Sequence, residues 1–383
     1  MTPAPVMRNG QMPTPGDWLS LAGNLPLFVT WCLTSLLFDA HPTLHLRQRV
    51  ALTFLRSQRA TFPPRILRYL TRRVSTGEAI TAYCQANNIH HSQSAVNPPS
   101  APAFSIHVLV PSTASQLGPT LLYFHGGGFV NPLRGNAHMP FIMSAAAACQ
   151  AKQVVIVEYS LAPEYAYPAQ PIQCVASLHH LLSGNLNVFP QEIILAGDSA
   201  GGTLVGSVLA HILKPLPYHP PLALNGQKLK GALLISPFTR VGMGKVGSYE
   251  TNSKRDYLTW EQTQGFKADW RAREDEIWGD LCAPDDAQEI WQSIIKIVDK
   301  VCVTAGTAEV FFDDCRVFAG EPFLGAETVY LFREGDSKPD WTSWEKVLVE
   351  CEGEVHVQVA LDSAVGYQGG VMMRACMDWL KAV

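Results

Sequence analysis

One serine of this chain lies in a sequence typical of the tight turns that present a catalytic serine hydroxyl. The apolar run 193–196 predicts a buried strand, which leads directly into Gly197-Asp-Ser-Ala-Gly201 and then into the helical pattern of residues 203–213. A G-x-S-x-G sequence between a strand and a helix forms a tight elbow, because its glycines let the two elements pass close together. We therefore predict that Ser199 presents Oγ at a helix N-terminus as a nucleophile. The alternative is a glycine-rich turn without chemistry.

A second glycine-rich motif has the residues to stabilise negative charge during acyl transfer. His125-Gly-Gly-Gly-Phe129 follows another apolar strand pattern at residues 120–124. Successive glycines leave no side chain in front of N–H groups that turn toward a developing oxyanion. We assign the oxyanion donors to the N–H groups of Gly127, Gly128 and Ala200, and a flexible turn is the alternative. The other residues of the two motifs are expected to support them: His125, Gly126 and Asp198.

Elimination identifies a general base. Enzymes with this elbow carry the triad in the chain order serine, acid, histidine. Of the 12 histidines, only His211, His219 and His356 follow Ser199. His211 lies about three turns along the helix that starts at the elbow, and His219 lies in a proline-rich connector too early to follow an acid. His356 is therefore the predicted base.

The triad acid has two candidates. The apolar strand pattern 301–305 ends at Gly306, and Glu309, Asp313 and Asp314 occupy the next turns. An acid in this loop would orient the imidazole and stabilise its charged form. Glu309 is closest to the strand end and has the longer reach, so we predict it as the acid and keep Asp313 as the reserve. Acidic residues at 313 and 314 would also suit a helix N-terminus.

The order of elements around these motifs predicts an α/β protein with a mostly parallel sheet covered by helices on both faces. Residues 1–104 are interpreted as an N-terminal helical cap segment with a linker, and residues 105–383 as the catalytic domain with a cap insertion at about 245–295. The strand-like runs lie at 105–110, 120–124, 154–158, 193–196, 232–236, 301–305 and 346–351.

These motifs together resemble the hormone-sensitive-lipase branch of the α/β-hydrolase family, the microbial and fungal carboxylesterase type. The resemblance covers roughly residues 105–383 and includes Glu158-Tyr-Ser-Leu-Ala-Pro-Glu164, which is similar to the Y-x-L-A-P-E signature of that branch, and residues 248–258, which look like the start of its cap insertion. It implies an α/β-hydrolase fold with a helical cap, an acyl-serine intermediate and, commonly, a homodimer. The chain departs from the family at Glu309, where an aspartate is usual.

The function we predict is hydrolysis of a carboxylic ester of a hydrophobic small molecule by a serine hydrolase. The same scaffold includes dehydratases and amidases, and an acyl-serine can also pass its acyl group to an alcohol, so a lyase, an amidase or an acyltransferase is the alternative. Plant gibberellin receptors also resemble this fold. Those receptors lack the triad histidine, whereas this chain has His356 at that position. The sequence therefore favours an enzyme over a ligand-binding receptor.

Bulk properties exclude some other classes. The net charge is −4 with a pI near 6.3, and we see no basic cluster with interleaved aromatics, so a nucleic-acid partner is not expected. Nine scattered cysteines form no C-x-x-C pair, which favours a reducing, cytoplasmic location without a disulfide framework or a zinc site. The proposed chemistry requires no metal and no organic cofactor.

The N-terminal region contains an apolar segment of about 14 residues at 25–38, which is short for a membrane span. We predict a cap helix whose apolar face covers the substrate pocket, with a peripheral membrane contact as the alternative. Aromatic residues of the two cap regions suggest a hydrophobic substrate, unless they only pack cap against core: Trp18, Trp31, Phe38, Trp260, Phe266 and Trp270.

Overall fold

A nine-stranded sheet organises the part of the chain that the computed structural model describes, namely residues 12–38, 43–183, 188–282 and 285–383. Its strands are β1 (His90–Val96), β2 (Phe104–Val110), β3 (Thr120–Phe124), β4 (Gln153–Glu158), β5 (Ile193–Asp198), β6 (Gly231–Ile235), β7 (Val301–Gly306), β8 (Thr328–Phe332) and β9 (Lys346–Cys351). They lie in the order β1-β2-β4-β3-β5-β6-β7-β9-β8. The pairs β1–β2 and β2–β4 are antiparallel, and all other neighbours are parallel.

Helices precede the sheet and cover both of its faces. They are α1 (Pro15–Phe38), α2 (Leu46–Thr61), α3 (Pro64–Thr71), α4 (Thr76–Ala86), α5 (His138–Ala148), α6 (Ala169–Ser183), α7 (Ala200–Leu213), α8 (Ser248–Thr251), α9 (Trp260–Trp270), α10 (Ala287–Gln292), α11 (Phe312–Ala319), α12 (Gln358–Ala364) and α13 (Val371–Ala382). The predicted α/β class with a mostly parallel, helix-covered sheet is confirmed.

The central strands read as continuous apolar runs because both of their faces are covered. Every residue of β3, β5, β6 and β7 is buried. One face packs into a hydrophobic cluster with α6 and α7, and the other packs into a cluster with α5 and α13. Burial on both faces is typical of parallel strands.

Parallel strands bring the predicted chemical groups to one edge of the sheet. Ser199 follows β5, Glu309 follows β7, His356 follows β9, and the glycine-rich loop 125–128 follows β3. Residues after the carboxyl ends of parallel strands meet at the same edge, where ligands of open α/β sheets bind. The topology alone therefore places these groups together.

The N-terminal apolar helix differs from the sequence expectation. Helix α1 has 24 residues instead of about 14, none of them is buried, and none lines the cavities described below, so the prediction that it covers the substrate pocket is wrong. It packs on α2, for example where Asn24 Nδ2 donates to Thr61 O at 2.7 Å. Within the described residues, α1 is the helix that is long and apolar enough to cross a membrane by length and composition.

Candidate active site

The predicted nucleophile lies in a strained turn between β5 and α7. Ser199 has φ 53° and ψ −120°, and it directly precedes Ala200, the first residue of α7. Side chains larger than hydrogen do not fit at Gly197 and Gly201, because a Cβ there would collide with the backbone of Gly201 and of Phe124, respectively. The strain of a non-glycine residue at positive φ is therefore maintained by the close approach of β3, β5 and α7.

His356 lies within hydrogen-bond distance of Ser199. Its Nε2 atom is 2.9 Å from Ser199 Oγ, and its ring packs edge-on against Phe311 with 4.8 Å between ring centroids. Burial lowers the pKa of His356 to about 3. The imidazole is therefore neutral near pH 7, which is the form that can accept the serine proton.

Glu309, and not Asp313, faces the other side of the imidazole. Glu309 Oε2 lies 4.0 Å from His356 Nδ1, and that nitrogen has no hydrogen-bond partner among the described residues. Asp313 instead accepts a 2.8 Å hydrogen bond from the N–H of Ser248 through Oδ2. Burial raises the pKa of Glu309 to about 8, against the opposing effect of the hydrogen bond from Ser236.

Ser236, which the sequence analysis did not single out, joins the acid to the histidine loop. Its hydroxyl donates to Glu309 Oε2 at 2.6 Å and accepts from the N–H of Val357 at 3.1 Å. Glu309 Oε2 also accepts from the N–H of Gly306 at 3.1 Å. The position of Ser236 directly after β6 was the available signal, because residues at the carboxyl ends of the neighbouring strands form this site.

A second missed residue is Asp256, which lies in the segment that resembles the family's cap insertion. Its carboxylate accepts hydrogen bonds from the N–H groups of Val310 at 2.9 Å and of Tyr257 at 2.7 Å. Burial raises its pKa to about 6. Asp256 thus connects the cap insertion to the loop that carries Glu309.

The glycine-rich loop presents unpaired N–H groups next to the serine. Gly127 and Gly128 have φ values of 123° and 63°, and both line the same cavity as Ser199 and Ala200. In the described part of the chain, the N–H groups of Gly127, Gly128 and Ala200 donate to no other residue. A Cβ on Gly128 would come within 2.6 Å of the Phe266 ring, so the loop has room only for glycine there.

Asp198 ties this loop to the elbow. Its Oδ1 atom accepts from the N–H of Gly126 at 3.0 Å and from the Tyr123 hydroxyl at 2.6 Å, and Oδ2 lies 3.3 Å from His138 Nε2. Burial acts to raise the pKa of Asp198, but His138 and these donors hold it below its usual value. A charged, fully hydrogen-bonded Asp198 therefore fixes the backbone of Gly126.

His125 stabilises the glycine-rich loop through contacts of its buried ring. Its Nδ1 lies 2.7 Å from Gly126 O and its Nε2 lies 3.2 Å from Thr76 Oγ1. The ring stacks on Tyr159, whose hydroxyl donates to His125 O at 2.6 Å. Burial lowers the pKa of His125 to about 4, so the ring is neutral and acts through hydrogen bonds instead of charge.

A cavity of about 380 Å³ opens above Ser199 and is lined by both predicted cap regions. Of the six cap aromatics named from the sequence, only Phe266 lines it; Trp270 is instead stacked on Phe129 in the core. Other apolar and aromatic side chains form the walls: Phe54, Leu55, Phe238, Tyr257, Phe311 and Leu361. The hydrophobic character of the cavity is as expected, although most of the residues that create it are different.

The other two histidines that follow Ser199 in the chain, His211 and His219, do not line its cavity. His211 and His219 contact each other on the far side of α7, and His211 Nδ1 accepts from the N–H of Leu216 at 3.0 Å. All nine cysteines are free, and eight of them are buried. Within the residues that the structure describes, no group of three or more histidine, cysteine, aspartate or glutamate side chains could hold a metal ion.

Comparison with known proteins agrees with this architecture. The family model described as alpha/beta hydrolase fold matches residues 121–321, more than half of the chain. The chain therefore belongs to the alpha/beta hydrolase fold family, which confirms the fold and the family resemblance drawn from its motifs.

Individual relatives are distant. Tuliposide A-converting enzyme b1 of Tulipa gesneriana is 28% identical over 183 residues, which are 43% of this chain and 46% of that enzyme, so the chain spans less than half the length of the first curated relatives it matches. Tuliposide A-converting enzyme 2 of the same plant is 27% identical over 301 residues, 73% of this chain and 68% of that enzyme. A solved esterase from the bacterial hormone-sensitive lipase family has a TM-score of 0.61 at 20% identity, covering 88% of this chain and 98% of its own.

Proposed function

We propose that this protein hydrolyses a carboxylic ester of a hydrophobic small molecule through an acyl-serine intermediate. The observation that carries the proposal is the 2.9 Å distance between Ser199 Oγ and His356 Nε2 at an apolar cavity, beside three N–H groups that have no acceptor among the described residues. A nucleophile, a base and preorganised oxyanion donors are the parts that acyl transfer needs.

In the first half-reaction, His356 accepts the proton of Ser199 as Oγ attacks the ester carbonyl. The N–H groups of Gly127, Gly128 and Ala200 donate to the oxyanion of the tetrahedral intermediate. His356 then gives its proton to the leaving alcohol, and the acyl group remains on Ser199. In the second half-reaction, water attacks the acyl carbonyl as His356 accepts its proton. His356 then returns this proton to Ser199 Oγ as the bond from Oγ to the acyl carbon breaks and the acid is released.

Glu309 is the proposed partner of His356 Nδ1 in both half-reactions. Ionised Glu309 stabilises the imidazolium and keeps the neutral ring in the tautomer whose Nε2 faces the serine. Because burial raises the pKa of Glu309 to about 8, the fraction of this ionised form increases as the pH rises above 7. The present 4.0 Å separation requires a small approach of the two groups when His356 becomes charged. Hydrogen bonds of this kind are often long in unliganded sites and shorten in the complex with substrate.

The cavity supports an ester of modest size with an apolar body. Its volume of about 380 Å³ lies in the range of small-molecule sites, and most of its walls are aliphatic or aromatic. Two named relatives convert tuliposide A; for this chain we propose only the chemical class, a short- or medium-chain ester or an ester on a polycyclic alcohol.

The first test is hydrolysis of 4-nitrophenyl esters of increasing acyl length by the wild type and by Ser199→Ala and His356→Ala. We expect turnover by the wild type and a loss of at least 10³-fold in both variants, on the order seen when triad members are removed. Ser207→Ala is the control for loss of a serine hydroxyl, since Ser207 is buried within α7 and its hydroxyl donates to Thr203 O and Trp278 O.

A fluorophosphonate probe separates the alternative functions. Labelling of Ser199 without ester turnover would indicate an amidase or an acyltransferase, which amide substrates and added alcohols would then identify. No labelling and no turnover would overturn the hydrolase proposal and favour a lyase or a ligand-binding protein.

We also propose that α1 attaches the protein to a membrane from the cytoplasmic side. The helix exposes large apolar side chains such as Trp31, Leu33 and Leu37, and the adjoining residues 44–74 contain eight arginines and no acidic residue. Apolar burial combined with attraction to anionic lipids is how interfacial helices bind. The nine free cysteines support a reducing environment.

Flotation with vesicles of phosphatidylcholine containing 30% phosphatidylserine tests this attachment. The wild type should float with the vesicles, and Leu33→Glu/Leu37→Glu should reduce flotation at unchanged esterase activity. Equal flotation of both proteins would contradict the proposal. The homodimer implied by the family resemblance stays a prediction, to be measured by light scattering.

A further inference from the structure

Two arginines line the apolar cavity without a carboxylate to neutralise them. They are Arg59 on α2 and Arg134 in the loop before α5. In the described part of the chain, no carboxylate oxygen lies within 4.0 Å of either guanidinium. Arg59 is partly buried and Arg134 is exposed, so both guanidinium charges are available to an anionic ligand of this cavity.

Arg59 is held in a fixed orientation by neutral groups. Its Nη1 atom donates to Gln262 Oε1 at 2.7 Å and to Tyr257 O at 3.4 Å, and its guanidinium carbon lies 4.8 Å from the centroid of the Tyr257 ring. Burial lowers the pKa of Arg59, which Tyr257 and Asp256 oppose only from beyond ion-pair distance. These contacts position the fork of the guanidinium but leave its charge unpaired.

Arg134 is the more available of the two. Its side chain is exposed and forms no hydrogen bond or ion pair with any described residue, and its backbone N–H donates to His138 Nδ1 at 3.0 Å. Both arginines also line a second cavity of about 800 Å³ beside α3 and α4. The pair thus lies where the catalytic cavity joins this outer cavity.

The acidic residues that line the two cavities already have hydrogen-bond or ion-pair partners. Asp198 accepts from Gly126 and Tyr123 and lies beside His138, and Asp269 forms an ion pair with Arg68. Arg59 and Arg134 therefore carry the unpaired charges of these linings. They make the boundary between the two cavities positively charged, whereas the surrounding walls are mostly apolar. Such an arrangement fits a ligand with an apolar body and one anionic end.

We propose that Arg59 and Arg134 bind a carboxylate of the substrate, so that the protein prefers esters that carry a free carboxylate at a distance from the scissile bond. This inference rests on the proposed esterase function and narrows its substrate class. Arginine recognises a carboxylate through two parallel N–H···O bonds, and two arginines also favour the anion by charge. Ser199 would act at the ester end of the same molecule.

The test compares two esters of equal acyl length that differ only at the far end: 4-nitrophenyl hydrogen suberate and 4-nitrophenyl octanoate. A matched series from the adipate to the sebacate covers the unknown distance from serine to arginines. We expect the wild type to have the higher kcat/KM on the carboxylate ester at one length. Hydrogen bonds to charged groups predict that Arg134→Gln or Arg59→Gln lowers the ratio of the two kcat/KM values about 10- to 100-fold.

Matched variants separate recognition from structure. Arg134→Lys retains the charge but not the guanidinium fork, so its preference should lie between those of the wild type and Arg134→Gln, whereas raising the salt concentration should weaken the preference in the wild type. Arg65→Gln is the control, because Arg65 is an exposed arginine on α3 that lines neither cavity. An equal ratio in the wild type, Arg134→Gln and Arg65→Gln would overturn the inference.

A binding measurement distinguishes failure of this inference from failure of the esterase proposal. Calorimetry with octanedioate on Ser199→Ala reports carboxylate recognition without turnover. Binding that is lost in Ser199→Ala/Arg134→Gln would support the inference even for a protein that hydrolyses no ester. Hydrolysis of neutral esters together with absent octanedioate binding would overturn the inference and leave the esterase intact.

Discussion

The hydroxyl of Ser236 donates a 2.6 Å hydrogen bond to Oε2 of Glu309, the same oxygen that lies 4.0 Å from His356 Nδ1. Ser236 also accepts from the N–H of Val357, the residue after His356. One side chain thus fixes both the proposed acid and the loop of the proposed base. Ser236 does not line the substrate cavity, so it acts by positioning.

Replacement of Ser236 should change the pH profile as well as the rate. The hydrogen bond from Ser236 lowers the pKa of Glu309, which burial raises to about 8, so Ser236→Ala should raise this pKa further. If catalysis needs the ionised Glu309, the rising limb of kcat/KM moves to higher pH, and kcat at pH 7 falls about 10-fold or more.

Measuring kcat/KM from pH 5 to 10 checks this prediction, with Ser207→Ala as the control for loss of a buried serine hydroxyl. A Ser236→Ala enzyme with reduced activity but an unmoved pH profile would show that Ser236 does not act through Glu309.

Glu309 and Asp313 should differ sharply when each is replaced by its amide. Glu309→Gln keeps the shape of the side chain but cannot balance a charge on His356, so kcat should fall on the order of 10³- to 10⁴-fold, as for other triad acids. Asp313 lies in the first turn of α11, and its carboxylate accepts from the N–H of Ser248 and from no other described residue, so Asp313→Asn should keep kcat within about threefold and lose little stability. Equal losses in kcat for the two variants would contradict the assignment.

Gly128→Ala should damage the oxyanion site without disturbing the triad. An alanine there would be strained at φ 63°, and its Cβ would come within 2.6 Å of the Phe266 ring. We expect kcat to fall about 10²- to 10³-fold, the loss that follows removal of one oxyanion donor, whereas Ser199 should still react with a fluorophosphonate at a reduced rate.

Gly135→Ala in the same loop region is the control. Its Cβ would meet only ordinary contacts, the nearest at 3.4 Å from Ala79 O, and its φ is not positive. Loss of kcat in Gly135→Ala as large as in Gly128→Ala would point to general loosening of the loop instead of a specific oxyanion role.

The central strands and the positions of the site motifs could be predicted from the sequence because their signals are local. A strand buried on both faces is a continuous apolar run, and a nucleophile elbow needs glycines at fixed spacing, as at Gly197 and Gly201. All seven predicted strands correspond to β2 through β7 and β9. Strand β1 was not predicted because it is a mostly exposed, polar edge strand that pairs with β2 through its backbone. Its sequence therefore shows no alternation of apolar residues.

What could not be predicted depends on contacts between distant parts of the chain. Ser236 and Glu309 are 73 residues apart, and nothing in the sequence around Ser236 indicates its partner. The charges of Arg59 and Arg134 indicate a ligand site because no described carboxylate forms an ion pair with them, which the sequence alone does not show. Helix α1 was underestimated because Gly23 and Asn24 interrupt the apolar run, yet the helix continues through both.

The last prediction concerns two buried carboxyls next to the histidine loop. Gln48 Nε2 on α2 donates to Glu354 Oε1 at 3.3 Å and to Asp362 Oδ1 at 3.0 Å, so both carboxyls share one donor. Glu354 also accepts from the N–H groups of Val371 and Met372 at 2.6 Å. Burial and, to a smaller extent, the charge of Asp362 raise the pKa of Glu354 to about 8. Burial raises the pKa of Asp362 to about 7.

Stability should therefore fall as the pH rises through this range. Both folded-state pKa values exceed the unfolded ones, so the stabilisation is fully present below about pH 4 and is lost as the pH passes 7 to 8. Each proton that the folded protein binds and the unfolded chain does not changes the free energy of unfolding by up to about 1.4 kcal/mol per pH unit. Asp362→Asn removes one such group and should flatten the decline of the free energy of unfolding between pH 5 and 8. Urea unfolding at several pH values measures this slope, with the exposed Asp299→Asn as control. An Asp362→Asn slope equal to that of the wild type would contradict the raised pKa of Asp362.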